Sequence, residues 1–472
     1  MSELQFSKEL RGEQTTIDGL VLYDLPVHGD NRGWFKENWQ REKMIKAGLP
    51  DFRPVQNNIS FNAEAGVTRG LHAEPWDKFV SVGAGSVFGA WCDLREGSKT
   101  FGKVFTTTLD ASNAIYVPRG VANGFQALED GTVYTYLVND HWTPNPPEGS
   151  YAFVNIADPA LAIEWPIRLD SVEISEKDRN HPMLEKALTI KPKKVMITGA
   201  NGQLGRALSK LYPDADCVDR DSLDISDTEA VANARHWRDY GVILNAAAYT
   251  AVDTAETPEG RRDAWAANAV AVGNLARVAC EYDITLVHIS SDYVFDGTNN
   301  THPETEQFTP LSVYGQSKAA GDIAATLAPR HYIARTSWVI GDGNNFVKTM
   351  QSLAQRDIKP SVVGDQIGRL TFTDTLATGI KHLVDSNASY GTYNLTNDGD
   401  PASWADIAKN VYEHSGKSPE DVAAVSTEEY YEGKTGIAPR PLGSVLPLDK
   451  IKATGFTPSD WRTELSAYLN NL

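Results

Sequence analysis

The chain has 472 residues, 41% hydrophobic and 22% charged, which is too long for one ordinary core and has the profile of a soluble protein of two or three domains. No apolar run reaches the length of a bilayer span, and the opening MSELQFSKEL lacks the apolar core of an export signal, so neither a membrane nor an exported protein is expected. A net charge of −18 disfavours a nucleic-acid surface, and three widely spaced cysteines, Cys92, Cys217 and Cys280, suit reduced thiols in a cytoplasmic protein rather than a disulfide frame or zinc site.

The first part of the chain reads as β-rich. The segments SVFGAWCDL, KVFTTTL, AIYVP and TVYTYLV recur between Gly, Asp, Asn and Pro, the pattern of a sandwich or barrel. The stretch EKDRNHPMLEKALTIKPKK is polar and carries two prolines. It sets the expected boundaries: a domain over 1–182, a linker over 183–193 and a second domain over 194–472.

Beyond it the character changes. KKVMIT, VILNAAAY and ITLVHISS read as buried strands, and QLGRALSKLY and AWAANAVAVGNLARVACEY as helices. Strand–helix alternation predicts a doubly wound parallel sheet. Gly199, Gly202 and Gly205 form G-x-x-G-x-x-G between the first strand and the first helix, with Gln203 and Leu204 at the helix start. Glycines there admit a pyrophosphate to the helix N-terminus. Asp219 stands where an acid would meet the adenine ribose, while its neighbour Arg220 suits a 2′-phosphate, so both NADH and NADPH remain open. Tyr314 and Lys318, in YGQSK, fall one helical turn apart on one face. A lysine ammonium beside a phenol is expected to lower the tyrosine pKa and tune it to protonate a carbonyl oxygen as hydride arrives at carbon. Ser291, ending the strand LVHISS, can hydrogen-bond the same oxygen.

These segments, with NAAAYTAVDTAE, SSDYVFDG, RTSWVIGDGNNFVKTM and RPLGSVL, resemble dTDP-4-dehydrorhamnose reductase, of the extended short-chain dehydrogenase/reductase family, over nearly all of 194–472. The resemblance implies that Asp224 and Ile225 flank the adenine, that Ala246, Ala247 and Ala248 line the cofactor, and that Val252 and Trp338 touch the sugar nucleotide. Two departures stand out: Ser291 where the family has threonine, and Gly368-Arg369-Leu370-Thr371 where it has Gly-x-Pro-Thr.

Residues 15–182 resemble dTDP-4-dehydrorhamnose 3,5-epimerase, an all-β barrel of the cupin (jelly-roll) type, through GDNRGWFKE, QNNIS, TRGLH, DLREGSKTFGK, VPRGVANGF, DPALAIEWP and ISEKD. Epimerisation beside a ketone needs a base, enolate stabilisation and an acid on the opposite face. Of the four histidines in this half, His72 beside Arg69 is the best base. The family pattern puts the acid at Tyr136 and the aspartate that orients the base at Asp178. Arg69 and Lys78 suit a diphosphate or developing enolate, and Arg32, Phe35, Glu37, Gln56 and Asn58 are expected to hold the nucleotide. No His-x-His occurs, so no metal is expected. Asn123 replaces the family's histidine, and Val87-Phe88-Gly89-Ala90 lacks its usual acid. The combined reading is a fused epimerase–reductase acting on a dTDP-sugar, a homodimer through its barrel. The alternatives are a reductase with an inactive or altered barrel, and a non-catalytic, cofactor-bound regulatory protein.

Overall fold

The computed structural model describes residues 4–144, 147 and 149–472, so the first three residues of the opening segment lie outside it. The chain divides into two compact units, residues 1–192 and 193–472.

The first unit is an antiparallel barrel of two facing sheets. Its strands are β1 (Arg11–Gln14), β2 (Val21–Asp24), β3 (Val27–Asp30), β4 (Gly33–Lys36), β5 (Gln56–Asn62), β6 (Thr68–Ala73), β7 (Lys78–Ala84), β8 (Val87–Asp93), β9 (Val104–Leu109), β10 (Asn113–Val117), β11 (Val121–Ala127), β12 (Thr132–Val138) and β13 (Ala152–Phe153). One sheet has the order β1-β2-β10-β7-β12-β5 and the other β13-β6-β11-β8-β9, while β3 and β4 form a separate hairpin. Val80, Val82, Trp91, Ile115, Phe125 and Tyr134 meet in one buried cluster between the sheets, as alternation on two inner faces requires. The stretch 183–193, read above as a linker, is instead packed on the barrel up to Pro192. Ile190 is buried, donates its N–H to Leu94 and accepts from Glu96. The backbone of this polar segment finds partners on the barrel edge, which composition alone does not reveal.

The second unit holds a six-stranded parallel sheet. Its strands are β14 (Lys194–Thr198), β15 (Asp216–Val218), β16 (Tyr240–Asn245), β17 (Thr285–Ser291), β18 (His331–Thr336) and β19 (Gly391–Asn394), in the order β15-β14-β16-β17-β18-β19. The order turns at β14, the position where α/β sheets open a ligand crevice at their carboxyl ends. The helices that matter for the site are α1 (Gln203–Leu211), α2 (Pro258–Trp265), α3 (Ala271–Tyr282) and α4 (Val313–Ala325). The segment AWAANAVAVGNLARVACEY is not one regular helix, because a π-helical turn at Ala266–Val270 separates α2 from α3. Such turns often mark functional positions. A second apolar core, with Val347, Leu370, Phe372, Ile407 and Trp461, builds the small C-terminal lobe around short two-stranded pairings. No helix among the described residues is long and apolar enough to cross a membrane.

Candidate active sites

In the barrel, the His72 Nε2 lies 2.8 Å from Asp178 Oδ1. Asp178 is buried, which works to raise its pKa, but the hydrogen bond and charge of His72 hold it below the usual carboxylate value. An ionised carboxylate only accepts, so Nε2 carries the hydrogen and Nδ1 keeps its lone pair free. His72 is about one-third exposed, which lets a substrate reach that lone pair. Asp178 comes from the short helix Glu176–Arg179, capped by the Ser175 hydroxyl, and its second oxygen accepts from the Gly70 N–H at 3.4 Å. His181 completes a group of three possible metal ligands whose donor atoms lie within 4.8 Å of one another. The His72–Asp178 pair is directly hydrogen-bonded at 2.8 Å, shorter than the roughly 3.4 Å between ligands of a tetrahedral zinc. His181 is buried against Phe153, and burial brings its pKa down to about 4.

Across the barrel, Tyr136 lies opposite Asn58 on β5 and Val80 on β7, while Val138 lies opposite Gln56 and Lys78. Cross-strand partners share a face, so Gln56, Asn58, Lys78 and Tyr136 line one surface. Gln56 donates to Asn58 at 2.7 Å. Burial pushes the Tyr136 phenol up to about 12, with Glu74 adding and Arg69 opposing. It is therefore a protonated donor at neutral pH. Lys78 is itself buried, ion-paired with Glu74 and hydrogen-bonded to Asn123, and its ammonium stands 5.8 Å over the Tyr136 ring. Arg69 donates to Asn62 at 3.2 Å.

Asn123 thus replaces the family histidine by giving Lys78 an acceptor while its amide donates to the Tyr134 hydroxyl at 3.2 Å. At the other departure, a Cβ on Gly89 would stand 2.2 Å from the Trp91 ring, so the indole fills the space an acid would need. Arg32, Phe35 and Glu37 are not brought to this site by their own barrel. They sit on or just after the β3–β4 hairpin, where Arg32 pairs with Asp30, Glu37 pairs with Lys43, and Phe35 is 68% exposed. Glu74, Asn62 and His181 were not singled out from the sequence. His181 was visible among the four histidines, but Glu74 carries no local signal.

In the second unit a cavity of about 350 Å³ opens at the carboxyl ends of β14, β15 and β16. Thr198, Gly199, Asn201, Gly202, Asp219 and Arg220 line it, together with Asp224, Ile225 and Ala246–Ala248. Gly199 has φ +64°, and a Cβ there would stand 2.7 Å from the Ala247 backbone. Gly205 serves packing, since its Cβ would fall 2.2 Å from the Gly199 carbonyl, and it brings α1 hard against the turn. Gln203 and Leu204, expected at the cofactor, open α1 directly after Gly202, and the Leu204 side chain belongs to the core between helix and sheet. Asp219 is engaged on both oxygens, accepting from the Ser222 N–H and hydroxyl and from the Asn201 amide at 2.6 Å. Arg220 lines the same cavity. A glycine cradle, a helix N-terminus and a flanking acid and guanidinium fit the pyrophosphate and ribose of a dinucleotide.

Tyr314 and Lys318 lie on α4, whose N-cap is the Ser312 hydroxyl. Ser291 ends β17 and donates to Asp292 at 2.9 Å. The Lys318 ammonium, buried, donates to the Ile289 carbonyl at 2.5 Å. Here the expected tuning is corrected: burial raises Tyr314 to about 12 against the pull of Ser291, and lowers Lys318 to about 8. Desolvation of the phenolate outweighs the Ser291 hydrogen bond, so Tyr314 rests protonated. Trp338 stacks on Trp404 at 3.9 Å in the small lobe rather than standing free. Val252 precedes Asp253, which accepts from Arg440 at 2.9 Å and so pins the RPLG segment beside this loop. The other departure, Arg369, donates to the Gly399 and Leu446 carbonyls. Asn268, on the π-helical turn, had no sequence signal. Its side chain bonds the Tyr249 backbone and donates to the Ser317 hydroxyl, tying the cavity wall to α4.

Residues 193–472 match the family model for the RmlD substrate binding domain, and residues 14–186 that for dTDP-4-dehydrorhamnose 3,5-epimerase. The N-terminal part is 53% identical over 199 residues to the RmlC homolog protein of Streptococcus pyogenes, covering 41% of this chain and 99% of that one. The C-terminal part is 40% identical over 293 residues to dTDP-4-dehydrorhamnose reductase of Aggregatibacter actinomycetemcomitans, covering 58% and 97%. A solved structure of dTDP-4-dehydrorhamnose reductase from Bacillus anthracis, in complex with NADP, is similar with a TM-score of 0.54 and 34% identity, covering 60% of this chain and all of that one.

Proposed function

The chain belongs to the RmlD substrate binding domain family over residues 193–472 and to the dTDP-4-dehydrorhamnose 3,5-epimerase family over residues 14–186, and on that premise we propose that it performs two consecutive steps of dTDP-L-rhamnose synthesis. The barrel epimerises dTDP-4-dehydro-6-deoxyglucose at C3 and C5, and the second unit reduces the C4 ketone with NADPH or NADH. One observation carries the reading: a single chain holds both a His72–Asp178 base dyad and a Ser291, Tyr314, Lys318 set beside a dinucleotide cavity.

In the first step, His72 Nδ1 takes the proton from the carbon beside the ketone, and Asp178 offsets the imidazolium that forms. The enolate charge falls near the Lys78 and Arg69 cations, and Tyr136 returns a proton from the other face. In the second step, the nicotinamide supplies the hydride. Tyr314 gives its phenolic proton to the carbonyl oxygen while Ser291 hydrogen-bonds that oxygen. Lys318 offsets the phenolate left behind.

The barrel pairs with a second copy. Among the described residues β5 is an edge strand bonded only to β12, and its alternation is inverted, with polar Gln56, Asn58 and Ser60 inward and Ile59 and Phe61 outward at 69% and 64% exposure. An exposed apolar edge invites a partner strand. Such a dimer gives Arg32, Phe35 and Glu37 a route to the nucleotide across the interface, and Phe61→Asp should yield monomers by light scattering. The three cysteines are free, which suits the cytoplasm.

The test of the whole reading is incubation with dTDP-4-dehydro-6-deoxyglucose and NADPH, with the product read by NMR. dTDP-L-rhamnose is expected. A 4-reduced sugar with unchanged C3 and C5 would leave a reductase alone, and no consumption of NADPH would overturn the reading.

A further inference from the structure

Helix α4 carries a third buried group one turn beyond Lys318. Tyr314, Lys318 and Asp322 follow one another at helical spacing, so they share a face. Asp322 is 1% exposed. Its Oδ2 accepts from the Ser290 hydroxyl at 2.7 Å and from Arg335 Nη2 at 3.2 Å. Its Oδ1 has no hydrogen-bond partner and faces His288 Nε2 at 3.6 Å. His288 is fully buried, and its Nδ1 accepts from the Asn245 amide at 3.2 Å, which puts the ring hydrogen on Nε2, toward Asp322. Asn245 in turn accepts from Thr198 at 2.7 Å, and Thr198 lines the dinucleotide cavity. A continuous polar ladder therefore runs from the cavity through β14, β16 and β17 to the helix that carries the proton donor.

The charges along this ladder do not balance pairwise. Lys318 and Arg335 are both buried, and Asp322 is ion-paired with Arg335 at 3.2 Å and lies one helical turn from Lys318. Arg335 directs its remaining charge at the Phe295 and Phe308 rings, 4.9 and 5.6 Å away, and two of its nitrogens have no acceptor. Lys318 has one carbonyl acceptor, that of Ile289. A buried ammonium with so little solvation loses its proton unless a negative charge stands nearby.

We propose that Asp322 is a positioning residue for the reduction: its carboxylate, held by Ser290 and Arg335 and faced by His288, keeps the Lys318 ammonium charged and seated against Ile289 beside Tyr314. The proposal rests on the reading of Lys318 as a partner of Tyr314 in carbonyl reduction. Two groups face Lys318 electrostatically. Asp322 favours its charge, and the neutral His288 is itself held neutral partly by Lys318, while burial pushes the Asp322 carboxyl up against the lowering pull of Arg335, Ser290 and Lys318. Burial alone takes Lys318 toward neutrality, and Asp322 is the group that works against it.

The experiment compares wild type, Asp322→Asn and Asp322→Glu in the full chain. Two quantities are read: the pH profile of kcat/KM for reduction of the epimerised ketone, and the pH titration of the Lys318 side-chain resonance in 13C-lysine-labelled protein, assigned with Lys318→Arg. Asp322→Asn should move both the alkaline limb and the resonance midpoint down by about one pH unit or more. Asp322→Glu should restore most of that displacement. The double variant Asp322→Asn/Arg335→Met, which removes the buried ion pair together, guards against failure to fold and should show the same lowered midpoint. A uniform loss of activity with the limb and the resonance unmoved would overturn the proposal. A wild type that reduces no ketone defeats only the functional reading, because the resonance still reports what Asp322 does to Lys318.

Discussion

In the barrel, the proposed base and its orienting acid are 106 residues apart in the chain and 2.8 Å apart in space. In the second unit, the proposed acid and its cation lie one turn apart on a single helix. His72 is about one-third exposed and works from a polar face, whereas Lys318 is almost wholly buried. The two sites face related tasks, moving a proton next to or onto a ketone. The barrel must admit a substrate to a free lone pair, so it leaves its base open and locks the tautomer from behind. The reductase must keep a phenol protonated until hydride arrives, so it buries the phenol and keeps it neutral. Environment, more than residue type, divides base from acid.

The comparison breaks most visibly by removing each centre in turn. His72→Ala should abolish deuterium uptake from heavy water at C3 and C5 without cofactor, while reduction of separately supplied epimerised ketone stays intact. Uptake that persists in the variant would place the base elsewhere. Conversely, Tyr314→Phe and Lys318→Ala should each cut reduction by about 100-fold or more and leave deuterium uptake untouched. Losses of tenfold or less in both would remove Tyr314 from the role of proton donor.

A smaller effect is expected at the cavity. Asp219 is bonded to Ser222 and Asn201 and lines the dinucleotide cavity, whose lining does not include Tyr314 or Lys318. Asp219→Ala should raise the KM for cofactor by about tenfold with kcat little changed, and unchanged binding of both NADH and NADPH would pass the role to Asp224 or Arg220.

A last effect concerns stability and sharpens the contrast in burial. His181 has a folded pKa of about 4 against an ordinary 6.5. As pH falls through 6.5 the unfolded chain takes up the proton first, so the stability of neutral, buried His181 is present above 6.5 and is lost between 6.5 and 4. The loss is on the order of 3 kcal/mol. His181→Phe, which keeps the stack on Phe153, should move the acid-unfolding midpoint of the barrel unit to lower pH, followed by circular dichroism. An unmoved midpoint would mean that His181 is not the group that charges on unfolding.

By itself, the sequence determined the class of both units. The places of Gly199, Tyr314 and Lys318, proposed for the second site, follow from spacing along a turn and a helix, and local geometry is written locally. The setting beside Arg69 also pointed to His72, and the family pattern to Tyr136 and Asp178. Tertiary structure decided what depends on pairing between distant segments and on what is desolvated. It joined Asp178 to His72, gave Lys78 its partners Glu74 and Asn123, filled the space beside Gly89 with Trp91, and packed Ile190 onto the barrel edge. It also reversed the expected direction at Tyr314, because a lysine one turn away can be read from spacing, but the burial that raises the phenol comes from strands and helices far along the chain. Strand register and desolvation are sums over remote neighbours, and no window of sequence contains them.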